Sequence, residues 1–543
     1  MSVMSEKSLH HIFTNRLVAV FLLFCVAVGV HANIFKNEFL MDDRDFIVEW
    51  DLIRDWNNLP QFFMDYTPPA GQEGIYSPLK TLFHAVNYHL FGLNPFGYHV
   101  VSLIIHCLGI FFVYRIAELL TENSPAAFLA GLFFAVHPVQ VEAITYMTAS
   151  IDMIGIVFLF AAFYLYIKRW YKTAFLFAML AVFTHELSIS LPVLFLWYDL
   201  CLRREDGVRK IVLRILPLII LVGVYAWIKA SVLGGLTRGS YVADSFYLTM
   251  LITIKAWAKY IVLLFAPLTL THNHIISKGI SSFDQTDFDP AAVASQSLAD
   301  PQVLLSLLLI GAFVVLAYKR FYSKPLISFC IGWFFISLLP VSNIIPSGVY
   351  FGERYLYPGM LGFCILAGVY GYQLSTQKPF KIFGILLVTA AVVAFSICTL
   401  ERNKDWRNEI VFYQSAVKAN PQSALMQNDL GLVYTRFGKL SQAEESFQQA
   451  LAIRQDPVTY FSLSEVYTQL QYYDKAIKAL ETAISLNPQY AEAHYNLAGL
   501  YAYSKNKEKA LYHFDRSQEL FRQQDPMIEL RQMENSFKTY FGL

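Results

Sequence analysis

The chain has 543 residues, 56% of them hydrophobic, 16% aromatic and 15% charged, with a formal net charge of +1. Soluble domains carry roughly a quarter charged residues, so the composition excludes an ordinary soluble globule. The balanced charge leaves no electrostatic footprint for nucleic acid. Cys25, Cys107, Cys201, Cys330, Cys364 and Cys398 all lie in apolar segments, and no CxxC or Cys/His spacing links them. That argues against a structural zinc or a disulfide framework. Residues 1–400 are apolar blocks with charged punctuation, whereas 401–543 are polar and helix-rich.

About 20 apolar residues cross a bilayer as a helix. Such runs occur at 16–35, 98–120, 150–168, 209–230, 302–320, 325–345, 353–373 and 381–400. The first also reads as a signal peptide, with Val30-His31-Ala32 as a tolerable cleavage site. Under both readings the chain after it faces outside. Cationic loops stay in the cytoplasm. Lys7 and Arg16 place the N-terminus inside, and further inside loops are marked by Lys168, Arg169 and Lys172 and by Arg203, Arg204, Arg209, Lys210 and Arg214. Two more are marked by Lys319, Arg320 and Lys324 and by Lys378 and Lys381. The acidic segment 34–97 is then the first outside loop, and in it Asp42, Asp43 and Asp45 crowd around Arg44.

Two intervals are too short to span. Only eleven residues separate Lys172 from Thr184, about 17 Å of helix against a core of about 30 Å. The turn Thr184-His185-Glu186 therefore lies below the outer surface, before 187–200 returns inward. The segment 126–136 is equally short and runs into His137-Pro138 and Glu142. Ionisable groups at membrane depth line a water-filled cavity or a site; the plain alternative is that both helices continue with their polar groups snorkelling. Leu248 to Leu270 is long enough to span, but both its flanks fall outside and it carries Lys255 and Lys259, so it reads as interfacial or re-entrant. The predicted total is eleven spans, with residues after 401 outside.

The last third repeats every 33–34 residues. Gly431, Ser464 and Ala498 are equivalent small residues, followed by Tyr434, Tyr467 and Tyr501. Ala443, Ala476 and Ala510 come next, then Phe447, Leu480 and Phe514. This is the tetratricopeptide pattern, in which small residues let two helices pack closely and aromatics fill between repeats. Residues 405–419 read as a solitary second helix and 526–541 as a cap. Such arrays bind segments of other proteins on a concave face; a purely structural or dimerising role is the alternative. The predicted fold class is all-α: a polytopic membrane domain over 1–400, then a repeat solenoid over 405–541.

Several stretches in fixed order carry a resemblance. They are FLMDDRDFI, IYSPLKTLFHAVNYHLFGLNPFGYHVVSLIIH, AFLAGLFFAVHPVQVEAITYMTASIDM, THELSISLPVLFLWYD and GERYLYPGMLGFC. Together they resemble the GT-C class of polyprenyl-phosphate-sugar-dependent glycosyltransferases. More closely they resemble the transmembrane and tetratricopeptide-repeat-containing O-mannosyltransferases and their bacterial relatives, over roughly 34–520.

The resemblance implies an acidic pair in the first outside loop, here Asp42 and Asp43. Glycosyl transfer needs a base to take a proton from the acceptor hydroxyl as phosphate leaves the anomeric carbon. Asp42 is favoured as base with Asp43 supporting it, and the reverse stays open, as does an ordinary solvated acidic loop. The same resemblance places the donor at Arg354, Tyr355 and Tyr357, with Arg354 suited to hold a lipid phosphate. His137, Glu142, His185, Glu186 and Tyr76 are expected to line the donor site. Two departures bear on the donor: Tyr76-Ser77-Pro78-Leu79 replaces the family's Tyr-Arg-Pro-Leu, and His185-Glu186 replaces its Lys-Glu. A divalent metal ion is left open, with Asp42, Asp43 and Glu142 as oxygen donors. No Walker or Rossmann glycine motif occurs.

The expected function is transfer of a single sugar from a polyprenyl phosphate to a hydroxyl, most simply on a protein, at the outer face. The expected partners are that lipid-linked sugar, a protein held by the repeats, and membrane lipid. An O-antigen-ligase-like transferase and a non-catalytic membrane-anchored scaffold are the rivals, with a transporter more distant. The absence of long insertions leans toward a bacterial inner membrane with periplasmic repeats; an endoplasmic-reticulum membrane with lumenal repeats follows the same topology.

Overall fold

The computed structural model describes residues 15–64, 76–235, 237, 239–277, 280–282 and 296–524. The predicted cap at 526–541 lies outside them. The chain divides into two compact units, Met1–Val411 and Phe412–Leu543.

The first unit is built from helices α1 (Arg16–His31), α2 (Pro78–Phe91), α3 (Pro95–Thr121), α4 (Ser124–Val136), α5 (Val141–Thr145) and α6 (Met147–Ile167). These are followed by α7 (Tyr171–Thr184), α8 (Leu191–Leu202), α9 (Val208–Leu233) and α10 (Phe246–Phe265). A two-stranded antiparallel ribbon, β1 (Ile275–Ser277) with β2 (Ile280–Ser281), precedes α11 (Pro301–Arg320), α12 (Pro325–Ser337), α13 (Leu356–Thr376) and α14 (Lys381–Lys404). Helix starts use the expected chemistry. Asn94, Asn123 and Asp300 each accept a backbone N–H of the following first turn, and each is followed within two residues by a proline.

Among the described residues, seven helices are long and apolar enough to cross a membrane, or eight if the pair bent by 51° at His137 counts as one span. The expected eleven is corrected accordingly. The difference has a physical cause: α7, α8 and α12 have 14, 12 and 13 residues, too short to span alone. The helix α13 has 21 residues but is not among the seven apolar enough.

The segment expected to be interfacial or re-entrant is one unbroken helix, α10, which by length and composition is among the seven. Its polar groups are partnered inside the fold. Lys255 pairs with Asp300 at 2.7 Å, and Lys259 donates to the Ile275 carbonyl at 2.9 Å. Thr253 and Tyr260 bond to Ser342 and Gly352 in the connection between α12 and α13.

Close packing relies on small residues. A Cβ on Gly368 would stand 2.3 Å from the Ala126 carbonyl oxygen, and one on Gly362 would stand 2.4 Å from that of Cys330. The basic turns gather at one end of the bundle. Arg203 donates to the Ile167 carbonyl, Arg214 pairs with Asp199 and Asp206, and Arg204 donates to the Phe321 carbonyl. Arg16 meets Glu118 there at 3.0 Å, and Arg115 reaches Tyr164.

At the opposite end the last helix is tied to the first loop. The Asn403 amide donates to Val30 O and Asn33 Oδ1, Asn33 donates to Leu400 O, and Asn37 donates to Asn403 O. The Glu38 N–H reaches Arg407 O at 3.0 Å. The chain therefore leaves this unit at the end that carries the acidic loop.

The second unit holds helices α15 (Glu409–Ala419, begun in the first unit), α16 (Ala424–Arg436), α17 (Leu440–Ile453), α18 (Pro457–Gln469), α19 (Tyr473–Leu486), α20 (Ala491–Tyr503) and α21 (Lys507–Gln524). They stack as antiparallel pairs. The repeated Ala443, Ala476, Ala510, Phe447, Leu480 and Phe514 are all buried. The repeated tyrosines do more than fill space. Tyr434, Tyr467 and Tyr501 hydrogen-bond Gln414, Gln448 and Glu481, each on the second helix of the preceding repeat.

Candidate functional site

The acidic loop begins with a strained turn. Met41 has φ +52°, in the left-handed region that side chains avoid. Asp43 holds that turn. Its Oδ2 accepts the Leu40 N–H at 3.1 Å, and its Oδ1 accepts the N–H and hydroxyl of Thr148 at 2.8 and 2.7 Å. Thr148 is the second residue of α6, where backbone N–H groups have no partner inside the helix. A carboxylate supplied from another segment thus caps α6 and complements its dipole. Asp43 is buried, which pushes its carboxyl up to about 7 against the pull of those hydrogen bonds.

Asp42 is different. It is half-buried, and no hydrogen bond or ion pair within the usual limits engages its carboxylate among the described residues. It faces Tyr146, in the short link between α5 and α6. Burial, with the charges of Asp42 and Asp43, raises the Tyr146 hydroxyl above its ordinary value. The Tyr146 ring stacks on Trp406 at 5.7 Å.

Glu142 and Arg354 form the second part. Glu142 is fully buried, pairs through Oε1 with the Arg354 guanidinium and accepts the Glu353 N–H on Oε2 at 2.9 Å. Arg354 lies over the Tyr355 ring, 5.0 Å from its centroid. Its charge acts on Tyr146 on one side and on Asp152 on the other. Asp42, Asp43, Glu142, Arg354 and Tyr355 are thereby brought to one end of α6.

The two interrupted hairpins share one device. The Nδ1 of His137 accepts the Val139 N–H, and the Nδ1 of His185 accepts the Leu187 N–H, so each histidine caps a 3-10 turn where its helix breaks. Their other nitrogens part company. His185 Nε2 lies 3.8 Å from Asp152, whose other oxygen holds Lys80 at 2.9 Å. His137 Nε2 lies 3.0 Å from the Leu264 carbonyl, leaving neither ring nitrogen for a ligand. The expectation that His137 lines the donor site is corrected: its anomaly in the sequence is a structural cap.

Tyr357 is corrected too. It is fully buried among Phe134 and Phe160, with its hydroxyl on His106 Nδ1 at 3.1 Å. It follows Tyr355 by two residues, a spacing that puts the two rings on different faces of the helix. Glu186 pairs with Lys229 of α9 at 2.6 Å rather than joining Arg354. Tyr76 donates to Phe63 O, and its carbonyl accepts the Tyr225 hydroxyl one turn before Lys229.

Sequence reasoning missed four residues. Lys80 and Asp152 form a buried ion pair, and Lys80 lies over Phe46 of the acidic loop at 4.7 Å. An aspartate inside the apolar run Ile151–Ile156 was a readable signal. Glu353 is fully buried, its Oε1 held by the Thr271 N–H and His274 Nε2 at 2.7 Å each. Burial pushes Glu353 up to about 7 and lowers His274 well below its ordinary value. Arg402, at the end of α14, pairs with Asp405 at 2.9 Å and approaches Glu353 Oε2 at 3.7 Å.

The carboxylates proposed as metal donors are engaged by protein donors, apart from Asp42. Among the described residues, no group of three or more His, Cys, Asp or Glu is arranged to hold a metal ion.

The fold and these sites define a multi-pass helical membrane protein bearing tetratricopeptide repeats. The model described as tetratricopeptide repeat matches residues 413–457, and the one described as TPR repeat matches 465–503. The resemblance read from the sequence is borne out by relatives. Protein O-mannosyl-transferase TMTC3 of Homo sapiens is 25% identical over 76% of this chain and 48% of its own length. Protein O-mannosyl-transferase Tmtc3 of Drosophila melanogaster is 24% identical over 86% of this chain and 59% of its own. Protein O-mannosyl-transferase F38B6.6 of Caenorhabditis elegans is 26% identical over 80% and 62%. The chain thus spans about half to three-fifths of the length of these curated relatives.

Proposed function

We propose that this protein is a membrane glycosyltransferase that moves one sugar, mannose by the names of its relatives, from a polyprenyl phosphate to a protein hydroxyl. Asp42 takes the proton from the acceptor hydroxyl. The hydroxyl oxygen forms a bond to the anomeric carbon as the bond to the phosphate oxygen breaks, and that electron pair leaves on the phosphate. Arg354, aimed by Glu142, neutralises the leaving charge. The observation that carries this reading is the contrast within the acid pair. Asp43 is locked by three donors, while Asp42 beside it has no hydrogen bond of that length and faces the Tyr146 hydroxyl.

The reaction takes place on the outer side, at the end where the chain passes into the repeats, which present the acceptor. A bacterial inner membrane with periplasmic repeats remains the preferred setting. The test is to incubate the purified full chain with a panel of radiolabelled polyprenyl-phosphate sugars and an acceptor protein. Release of polyprenyl phosphate with label on the protein, from the mannose donor, supports the reading. Absence of release with every donor removes it.

A further inference from the structure

We propose that Arg402 is an oxyanion-binding residue that takes a phosphate of the donor lipid, an inference that rests on the donor chemistry proposed above. Arg402 ends the last membrane helix and is 6% exposed. Its Nη1 is used by Asp405 at 2.9 Å, but its Nε and Nη2 have no hydrogen-bond partner although buried. Those two N–H groups form one edge of the guanidinium, the fork that matches two oxygens of a phosphate or carboxylate. Buried polar groups are almost always paired, so an open fork asks for an occupant.

The nearest anion does not fill it. Glu353 Oε2 is 3.7 Å away, beyond hydrogen-bond reach, and is itself unpartnered. Glu353 is held back through its other oxygen by Thr271 and His274. The guanidinium lies over the Trp406 ring, 5.7 Å from its centroid. The charges of Arg354 and Arg402 both act on Glu142 and on His272, so the open fork lies in the same neighbourhood as the arginine already assigned to the donor. Glu353 neutralises Arg402 in the empty protein without competing at bonding distance, and an entering oxyanion takes the fork.

The test measures equilibrium binding of radiolabelled polyprenyl phosphate to the full chain in phosphatidylcholine nanodiscs. Arg402→Lys keeps the charge and removes the fork; binding weakens about tenfold or more. Glu353→Gln removes the opposing charge; binding tightens several-fold, a gain that a merely structural role would not give. Asp405→Asn leaves the fork intact and controls for loss of the Nη1 bond, with binding unchanged. Thermal unfolding confirms that each variant is folded.

Equal binding by wild type and Arg402→Lys overturns the inference and leaves the proposed reaction standing. Weakening by Glu353→Gln as large as by Arg402→Lys also overturns it. Competition arms use phosphatidylglycerol and inorganic phosphate. Equal displacement by phosphatidylglycerol makes this a general anionic-lipid site and removes the donor assignment. Displacement by polyprenyl phosphate alone supports it.

Discussion

Asparagine at position 42 and asparagine at position 43 should fail in opposite ways. Asp43 receives three hydrogen bonds on its two oxygens. An asparagine there has one acceptor oxygen. If that oxygen stays on Thr148, the amide nitrogen meets the Leu40 N–H, donor against donor. An unsatisfied buried donor costs about 1–3 kcal/mol, and the two remaining bonds lose their charge assistance. Relief of carboxylate desolvation offsets part of this, so the net loss is about 2 kcal/mol. The strained turn at Met41 and the start of α6 should loosen together. Asp42→Asn disturbs the approach to the Tyr146 hydroxyl but none of the short hydrogen bonds of the loop, so its unfolding midpoint should stay close to wild type. Its transfer rate should fall by about 10²–10⁴-fold, the usual worth of a general base. The assay is thermal unfolding in nanodiscs by intrinsic fluorescence, with sugar transfer measured on the same preparations at pH 8. Full activity in Asp42→Asn, or unchanged stability in Asp43→Asn, would refute the division of labour.

Three further outcomes follow from the same geometry. Lys80→Met leaves Asp152 buried without its main partner and should cost about 3–5 kcal/mol; adding Asp152→Asn should recover much of it, as a double-mutant cycle in unfolding would show. Asp43 and Glu353 bind protons more tightly folded than unfolded, with ordinary values of 3.8 and 4.5 pushed up to about 7. Stability should therefore fall as pH rises from about 4 to about 7 and level off above, and Glu353→Gln should flatten the slope of midpoint against pH. Gly368→Ala drives a Cβ into backbone atoms at 2.3 and 2.8 Å, forcing α13 from α4 at a cost of about 1–3 kcal/mol. Gly223→Ala meets open space and should leave the unfolding midpoint unchanged or raised.

The residue order alone determined whatever depends on local periodicity and composition. The repeat positions of Gly431, Tyr434, Ala443 and Phe447 follow from a period that only stacked helix pairs can satisfy, and the structure buries them as expected. The breaks at His137 and His185 were legible because 11 to 13 residues cannot span a bilayer. Counting basic loops put the first loop and the chain after the last helix on one side, but the amide bonds that tie them together were not legible. Partnership was not legible, because it depends on which side chains meet across hundreds of residues. Tertiary packing decided that Asp43 caps α6 while Asp42 stays open, and that Glu142 finds Arg354 across 212 positions. The same packing settled that His137 and Tyr357 serve the core. An isolated acid or histidine in a sequence carries its chemistry but not its neighbours, and its hydrogen-bond partners and degree of burial fix which role it plays.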